Sequence, residues 1–273
     1  MSNKPPIEVP QGAIRLNIDT HKLEFYAQDR WHEMATNNIN LGAAADTGNT
    51  SSFTLGGARG VFMGMSVPTG DSQISYINIP TSGNTLDFGS RTLSGVGANI
   101  SSRTRGLAAG DTAPAYVNTI DFITMSSKGN ALDFGDRTNT AARSRGCSNQ
   151  IRGIWAGGFI APATPNVMDF VTIASTGNAV DFGNLTNGRQ SAKGLASSTR
   201  GLFCGGYDGS DPYVSVNLVD YITILSTGNA TDFGDLNRVA FSGGACSNST
   251  RGLYTAGYGA PSSPSLVNSI AYC

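Results

Sequence analysis

The chain has 273 residues, a formal net charge of −1 and only 14% charged residues. That balance excludes the clustered Lys and Arg footprint of a nucleic-acid binder. No apolar run reaches the length of a membrane-spanning helix, and residues 1–6 lack the apolar core of a secretory signal, so neither membrane insertion nor export is expected.

Residues 1–10 carry three prolines, Pro5, Pro6 and Pro10, and read as an extended arm. Next comes a short alternating stretch, Ala13-Ile14-Arg15-Leu16-Asn17, and a turn at Ile18-Asp19-Thr20-His21. Lys22-Leu23-Glu24-Phe25-Tyr26 alternates again, and Asp29-Arg30 leads into Trp31-His32-Glu33-Met34. The pattern predicts a three-stranded β-meander within residues 1–36, too small to be stable alone. It is therefore expected to dock, on the rest of the chain or on another chain, with Ile14, Leu16, Leu23, Phe25, Tyr26 and Trp31 as the attachment residues.

From residue 37 a repeat takes over. An Arg-Gly pair followed by an apolar residue recurs at Arg59, Arg105, Arg152, Arg200 and Arg251, at intervals of 46, 47, 48 and 51 residues. After each pair runs a small, Gly-rich strand, then an alternating strand around Tyr76, Phe122, Phe170 or Tyr221. A Gly-Asn turn follows at Gly83, Gly129, Gly177 and Gly228, then Asp-Phe-Gly beginning at Asp87, Asp133, Asp181 and Asp232. A last small-residue strand leads to the next Arg-Gly. Four strands of period two per unit match the size of a propeller blade, and Gly-dense segments would break a helical repeat of similar length.

The fold class predicted is all-β, a closed five-bladed β-propeller over residues 37–273 behind the small meander. The fifth unit, beginning at Arg251, stops after its third strand. Its missing piece is found at the other end of the repeat region. Asn40-Leu41-Gly42 precedes Arg59 by the same 17 residues that separate Gly135, Gly183 and Gly234 from their following arginines. Residues near 37–42 are thus expected to add the outer strand to the C-terminal blade, leaving no open edge.

Nearly all length variation falls between the second and third strands, on the face shared with the blade-to-blade connections. The longest variable loops begin at Tyr207 and Tyr258. Variable loops on a constant scaffold are the usual place for recognition. Tyr207, Asp208, Asp211, Tyr213 and Tyr258 are the candidate ligand-binding residues, their rings suited to stacking on sugars and their carboxylates to bonding hydroxyls.

Catalytic chemistry is not indicated. His21 and His32 both lie outside the repeats, and Thr36 stands where His32-Glu33 would need its second zinc ligand. There is no nucleophile elbow and no phosphate-cradling loop, so no enzyme, metal site or cofactor is expected. The recurring Asp121, Asp169 and Asp220 are expected to serve in turn and strand-end bonding rather than as acid–base pairs. The Arg of each Arg-Gly is expected either to bridge neighbouring blades or to pair with those aspartates. Cys147, Cys204, Cys246 and Cys273 are expected to be buried free thiols.

Strand order over residues 37–273 resembles the kelch repeat: Gly-Gly is intact at Gly157-Gly158 and Gly205-Gly206, altered at Met63-Gly64-Met65 and Ala256-Gly257, and Phe88, Phe134, Phe182 and Phe233 stand where kelch blades commonly have Trp. Two further resemblances concern phages. Gly12-Ala13-Ile14-Arg15-Leu16-Asn17, Thr20, Lys22-Leu23-Glu24-Phe25-Tyr26 and Arg30-Trp31 resemble a short motif of bacteriophage virion proteins, particularly tail fibres. The Gly-Asn and Asp-Phe-Gly units resemble repeats in structural proteins of phages that infect cyanobacteria. These resemblances imply a non-enzymatic virion structural protein, a tail fibre or tail-tip component assembled in host cytoplasm. It would contact other virion proteins through residues 1–36 and host-surface glycan through the propeller, with a homo-oligomer possible in the particle. A capsid decoration protein and a free-standing sugar-binding lectin remain the alternatives.

Overall fold

A computed structural model describes residues 10–17, 22–28, 30–33, 59–65, 71–94, 97–111, 116–209, 214–258 and 266–272. Among them there are only strands and turns, and the strands form six antiparallel sheets of three or four strands. The chain divides into two compact units, residues 1–41 and 42–273.

The first unit holds a three-stranded meander of β1 (Ile14–Asn17), β2 (Lys22–Ala27) and β3 (Arg30–Glu33). Ile14 lies opposite Phe25, and Phe25 opposite His32. One face of the sheet therefore carries the apolar row expected from the alternation, while Arg15, Asn17 and Glu24 share the other. Arg15 and Asn17 both donate to the Glu24 carboxylate, at 2.8 and 2.9 Å. The Asn17 bond and then the Arg15 bond hold that carboxyl below its ordinary pKa.

The second unit repeats one design five times. The first repeat sheet contains β4 (Arg59–Met65), β5 (Asp71–Asn78) and β6 (Leu86–Ser90). The second contains β7 (Ala98–Ser101), β8 (Arg105–Asp111), β9 (Val117–Thr124) and β10 (Leu132–Asp136). The third contains β11 (Arg145–Ser148), β12 (Arg152–Ala156), β13 (Val167–Thr172) and β14 (Val180–Asn184). The fourth contains β15 (Lys193–Ala196), β16 (Arg200–Cys204), β17 (Leu218–Thr223) and β18 (Thr231–Asp235). The fifth contains β19 (Gly244–Ser247), β20 (Gly252–Tyr258) and β21 (Leu266–Tyr272). Each complete sheet starts with the small-residue strand that precedes Arg-Gly and ends with the Asp-Phe-Gly strand. The expected fourth strand of the last sheet, near residues 37–42, lies outside the described residues.

The core is laminar. Four apolar clusters sit one at each interface between successive sheets, around Met63 and Phe88, Leu107 and Trp155, Ile154 and Phe203, and Leu195 and Tyr254. The strand alternation explains this: the second and third residues after Arg face opposite neighbours. Trp155 is fully buried and donates its indole N–H to the Ala98 carbonyl of the preceding sheet at 2.9 Å.

The first strands of consecutive sheets run side by side, close enough at Gly146 and Gly194 to leave no room for a side chain. A Cβ on Gly194 would lie 2.0 Å from the Gly146 carbonyl oxygen. Ser148 and Ser247 lace them, each donating its hydroxyl at 2.8 Å to the preceding sheet, on Ser101 and Ala196 respectively. At the outer rim the Gly-Asn turn docks on the sheet before it. Gly129, Gly177 and Gly228 donate to Phe88, Phe134 and Phe182, at 2.9, 2.8 and 2.7 Å.

The repeated charges correct one sequence expectation and decide between the two alternatives of another. Asp121, Asp169 and Asp220 do not merely cap strand ends. Each is buried and paired with an arginine from the connector of the preceding sheet: Arg91, Arg137 and Arg189, all at 3.1 Å. Thr92, Thr138 and Thr186 donate their hydroxyls to the same carboxylates. Burial pulls the Arg189 pKa down, against the opposing pull of Asp220.

The Arg-Gly arginines do not pair with these aspartates. Arg59, Arg105, Arg152 and Arg200 lie over the third-strand rings of Tyr76, Phe122, Phe170 and Tyr221, 4.5–5.2 Å from the centroids. Arg59, Arg105 and Arg152 also reach across to the next sheet and donate to the carbonyls of Met125, Ile173 and Ile224. Bridging is their role; a connector arginine takes the carboxylate. Leu185 occupies the position after β14 that Arg91 and Arg137 hold after β6 and β10, and Arg189, four residues later, folds back to the same place.

Cys147 and Cys204 are buried free thiols as expected, and burial pushes the Cys147 thiol up to about 12. Cys246 is exposed, which corrects the expectation for it, because no sheet covers that side of β19 among the described residues.

Candidate functional site on the loop face

Within each sheet the strands follow one another in chain order, up and down, so the connections alternate between two faces. Tight turns occupy one face. The second-to-third-strand loops and the inter-sheet connectors share the other, as the spacing predicted.

On the loop face Tyr207 is half-buried and held on both sides. Its backbone bridges Gln190 and Ser215. Its ring meets Phe241 edge-on at 4.8 Å between centroids, and its hydroxyl accepts from Arg143 at 3.4 Å. Arg143 also donates to the Gln190 side-chain oxygen at 3.2 Å and lies 5.7 Å from the centroid of Phe159. Phe159 in turn packs edge-on against the exposed ring of Tyr116. The result is a strip of four aromatic rings interleaved with one guanidinium, an arrangement suited to sugar faces and planar anionic groups.

Asp208 is bound into its own loop: its carboxylate accepts the Val214 N–H at 3.2 Å, and its N–H donates to the Val214 carbonyl at 3.0 Å. It positions the loop. Asp211 and Tyr213 lie outside the described residues. Tyr258 ends β20, and its side chain also lies outside them.

Of the attachment residues, Ile14 and Leu16 are exposed, Phe25 stacks on His32 at 5.4 Å, and Tyr26 is buried edge-on to Trp31. Arg15 covers the Trp31 ring at 4.3 Å. The Leu23 side chain lies outside the described residues.

Sequence reasoning missed the basic side of the loop face. Arg145 and Lys193 open β11 and β15, at the position that Ala98 and Gly244 hold in the second and fifth sheets. The connectors before them bend alike, with Arg143, Ser191 and Ser242 all left-handed at φ of 54°, 57° and 56°. The signal is a pair of basic residues at the start of two strands whose counterparts begin with Ala98 and Gly244, a departure from the repeat rather than a part of it.

At the opposite, tight-turn face, the ends of four first strands surround a cavity of about 360 Å³. Among the described residues its polar lining is hydroxyl and amide, with Asn99, Ser101, Asn149 and Gln150 among the contributors, and Arg103 the one charged side chain. Asn149 and Gln150 are committed to holding the neighbouring turns, on the Ser198 carbonyl and the Arg103 N–H.

No protein-family model matches this chain, and no curated protein matches it in sequence.

Proposed function

We propose that the five repeat sheets are the blades of a closed five-bladed, kelch-like β-propeller, with residues near 37–42 adding the outer strand beside β21. On this reading the chain is a non-enzymatic structural protein of a bacteriophage particle, a tail fibre or tail-tip component. It docks through residues 1–36 and presents the loop face to a host-surface glycan.

The observation that carries the reading is a burial mismatch confined to the two ends of the array. Phe62 is 51% exposed, whereas Trp155 and Phe203, its repeat equivalents, are fully buried by the preceding sheet. Tyr272, equivalent to the 6%-exposed Tyr76, is 75% exposed. The first and last sheets thus carry apolar faces of complementary hand, each matching what a neighbouring blade covers elsewhere. Ring closure removes both from water, at roughly 25 cal/mol per Å².

The exposed row of Ile14 and Leu16 supports an attachment role for the first unit. The interleaved rings and polar groups around Tyr207 support recognition of a hydroxylated ligand.

Immuno-gold labelling of intact particles tests the assignment. Label at tail ends supports it, label over the head shell replaces it with capsid decoration, and absence of label from particles overturns the virion reading. Deleting residues 1–36 is expected to release the protein from particles while leaving its folded CD spectrum. Glycan binding by the isolated chain with no particle association would establish the lectin alternative.

A further inference from the structure

Six buried or half-buried arginines of the repeat sheets have a built-in answer to their charge. Arg91, Arg137 and Arg189 each face an aspartate. Arg59, Arg105 and Arg152 each combine an aromatic face with a carbonyl of the next sheet.

Two cations break this rule, and they are neighbours. Arg145 and Lys193 are half-buried at the starts of adjacent first strands. Arg145 gives one N–H to the Ser144 carbonyl at 2.8 Å, and neither side chain has an ion-pair partner among the described residues. Their charges oppose each other: burial first, then Arg145, pushes the Lys193 amine down to about 8. Burial also lowers the Arg145 pKa, with Arg143 adding to the repulsion and Tyr207 opposing it. Folding has therefore brought Arg145 close to both Lys193 and Arg143 on the loop face, with Tyr207 beside the two arginines, at a cost that no ion pair among the described residues offsets. Such an arrangement is stabilised by a ligand that brings negative charge.

We propose that Arg145 and Lys193, with Arg143 and Tyr207, form an oxyanion-binding site on the loop face that takes the carboxylate or sulfate group of an acidic saccharide. The two basic side chains clamp the charged group by charge-assisted hydrogen bonds. Arg143, held by Gln190 and Tyr207, supplies the edge, and the rings of Tyr207 and Phe159 flank the sugar. The saccharide part of this inference rests on the glycan-recognition reading above; the anion part does not.

The test uses the full chain with three probes: an oligo-galacturonide, the neutral oligo-galactoside of the same length, and sodium sulfate at constant ionic strength. Lys193 is one of four lysines, so its amine is readily assigned by NMR. Binding of the uronide or of sulfate is expected to move the Lys193 titration upward from about 8. The substitutions Lys193→Met and Arg145→Met should each weaken uronide binding about tenfold or more, the scale of one charge-assisted bond. Lys128→Met, remote in sequence and on the tight-turn face, should leave it unchanged.

The inference is overturned if neither uronide nor sulfate shifts the Lys193 titration, or if Lys193→Met binds uronide as well as the parent. Equal, Lys193-independent binding of neutral and acidic oligomers would overturn it while preserving glycan recognition. A shift with sulfate and none with either oligomer would uphold the anion site and count against the saccharide reading.

Discussion

The interfaces between the middle sheets and the two outer faces of the array are built from the same repeat positions, yet they behave as different materials. Between the second, third and fourth sheets, Asp169 and Asp220 are buried against Arg137 and Arg189. At the fifth sheet, Ala271 takes the aspartate's place and Arg238, in the connector before it, is exposed. At the first sheet Ser75 stands there. Where the carboxylate is missing at the fifth sheet, the connector's Arg238 stays in solvent, as it must when an unpaired buried charge is costly. Phe134 and Phe182 are 2% exposed under the next sheet's Gly-Asn turn, while Phe233, with no such turn following it in sequence, is 44% exposed. Burial in a repeat protein therefore belongs to the neighbour as much as to the residue.

The largest expected effect breaks a middle interface. Asp169→Ala strands Arg137 in an apolar layer and should cost about 3–5 kcal/mol in urea unfolding. Arg238→Ala, at the exposed counterpart, should stay within about 0.5 kcal/mol. Equal costs would mean that the ion pairs do not distinguish the interfaces.

Next comes a comparison that bears on ring closure. A Cβ on Gly183 would lie 2.4 Å from the Gly228 carbonyl oxygen, whereas one on Gly234 meets nothing within 4 Å. Both have similar positive φ, 136° and 130°, so backbone strain cancels in the comparison. Gly183→Ala should cost about 1–3 kcal/mol more than Gly234→Ala if the last outer strand is uncovered. If residues near 37–42 bring their own turn against β18, the two variants should be equally destabilised.

Arg152→Leu removes both the Phe170 contact and the bond to the Ile224 carbonyl and should cost about 1–2 kcal/mol. Arg251→Leu, whose guanidinium lies 5.8 Å from the Tyr272 centroid with no carbonyl bond among the described residues, should cost less.

The pH dependence is milder. Lys193 binds its proton less tightly folded than unfolded, because its amine is pushed from 10.5 to about 8. Between those values the unfolded chain holds the extra proton, so stability should rise as pH climbs through this window. The urea midpoint should show that rise in the parent, and Lys193→Met should flatten it.

The smallest effect should be a gain. Ser242 is exposed and left-handed at φ 56°. Ser242→Gly should stabilise by a few tenths of a kcal/mol to about 1 kcal/mol, readable as a higher melting temperature.

Much of the architecture was legible because period-two alternation and fixed Gly spacings are local signals. The meander strands were expected at residues 13–17, 22–26 and 31–34, and fall at Ile14–Asn17, Lys22–Ala27 and Arg30–Glu33. The Asp-Phe-Gly strands and the loop face were equally visible. The site was less so. Tyr207, singled out from loop variation, is half-buried against Phe241 and bonded to Arg143, while Asp208 serves its own loop. Arg143, Arg145 and Lys193 went unnoticed because a repeat alignment rewards what recurs, and a binding site on a repeat scaffold is what departs from it.

Alone, the sequence determined the strand count per unit, the turn positions and the alternation that sends successive side chains to opposite neighbours, since all three depend on residues close together in the chain. Only the tertiary structure decided which arginine meets which aspartate, that the Arg-Gly arginines lie over rings instead, and that two cations with no ion-pair partner among the described residues stand on adjacent strands. The arginine–aspartate pairings join residues about 30 or more positions apart on different sheets, and their energies depend on whether water is excluded when the sheets meet. No local pattern carries that information.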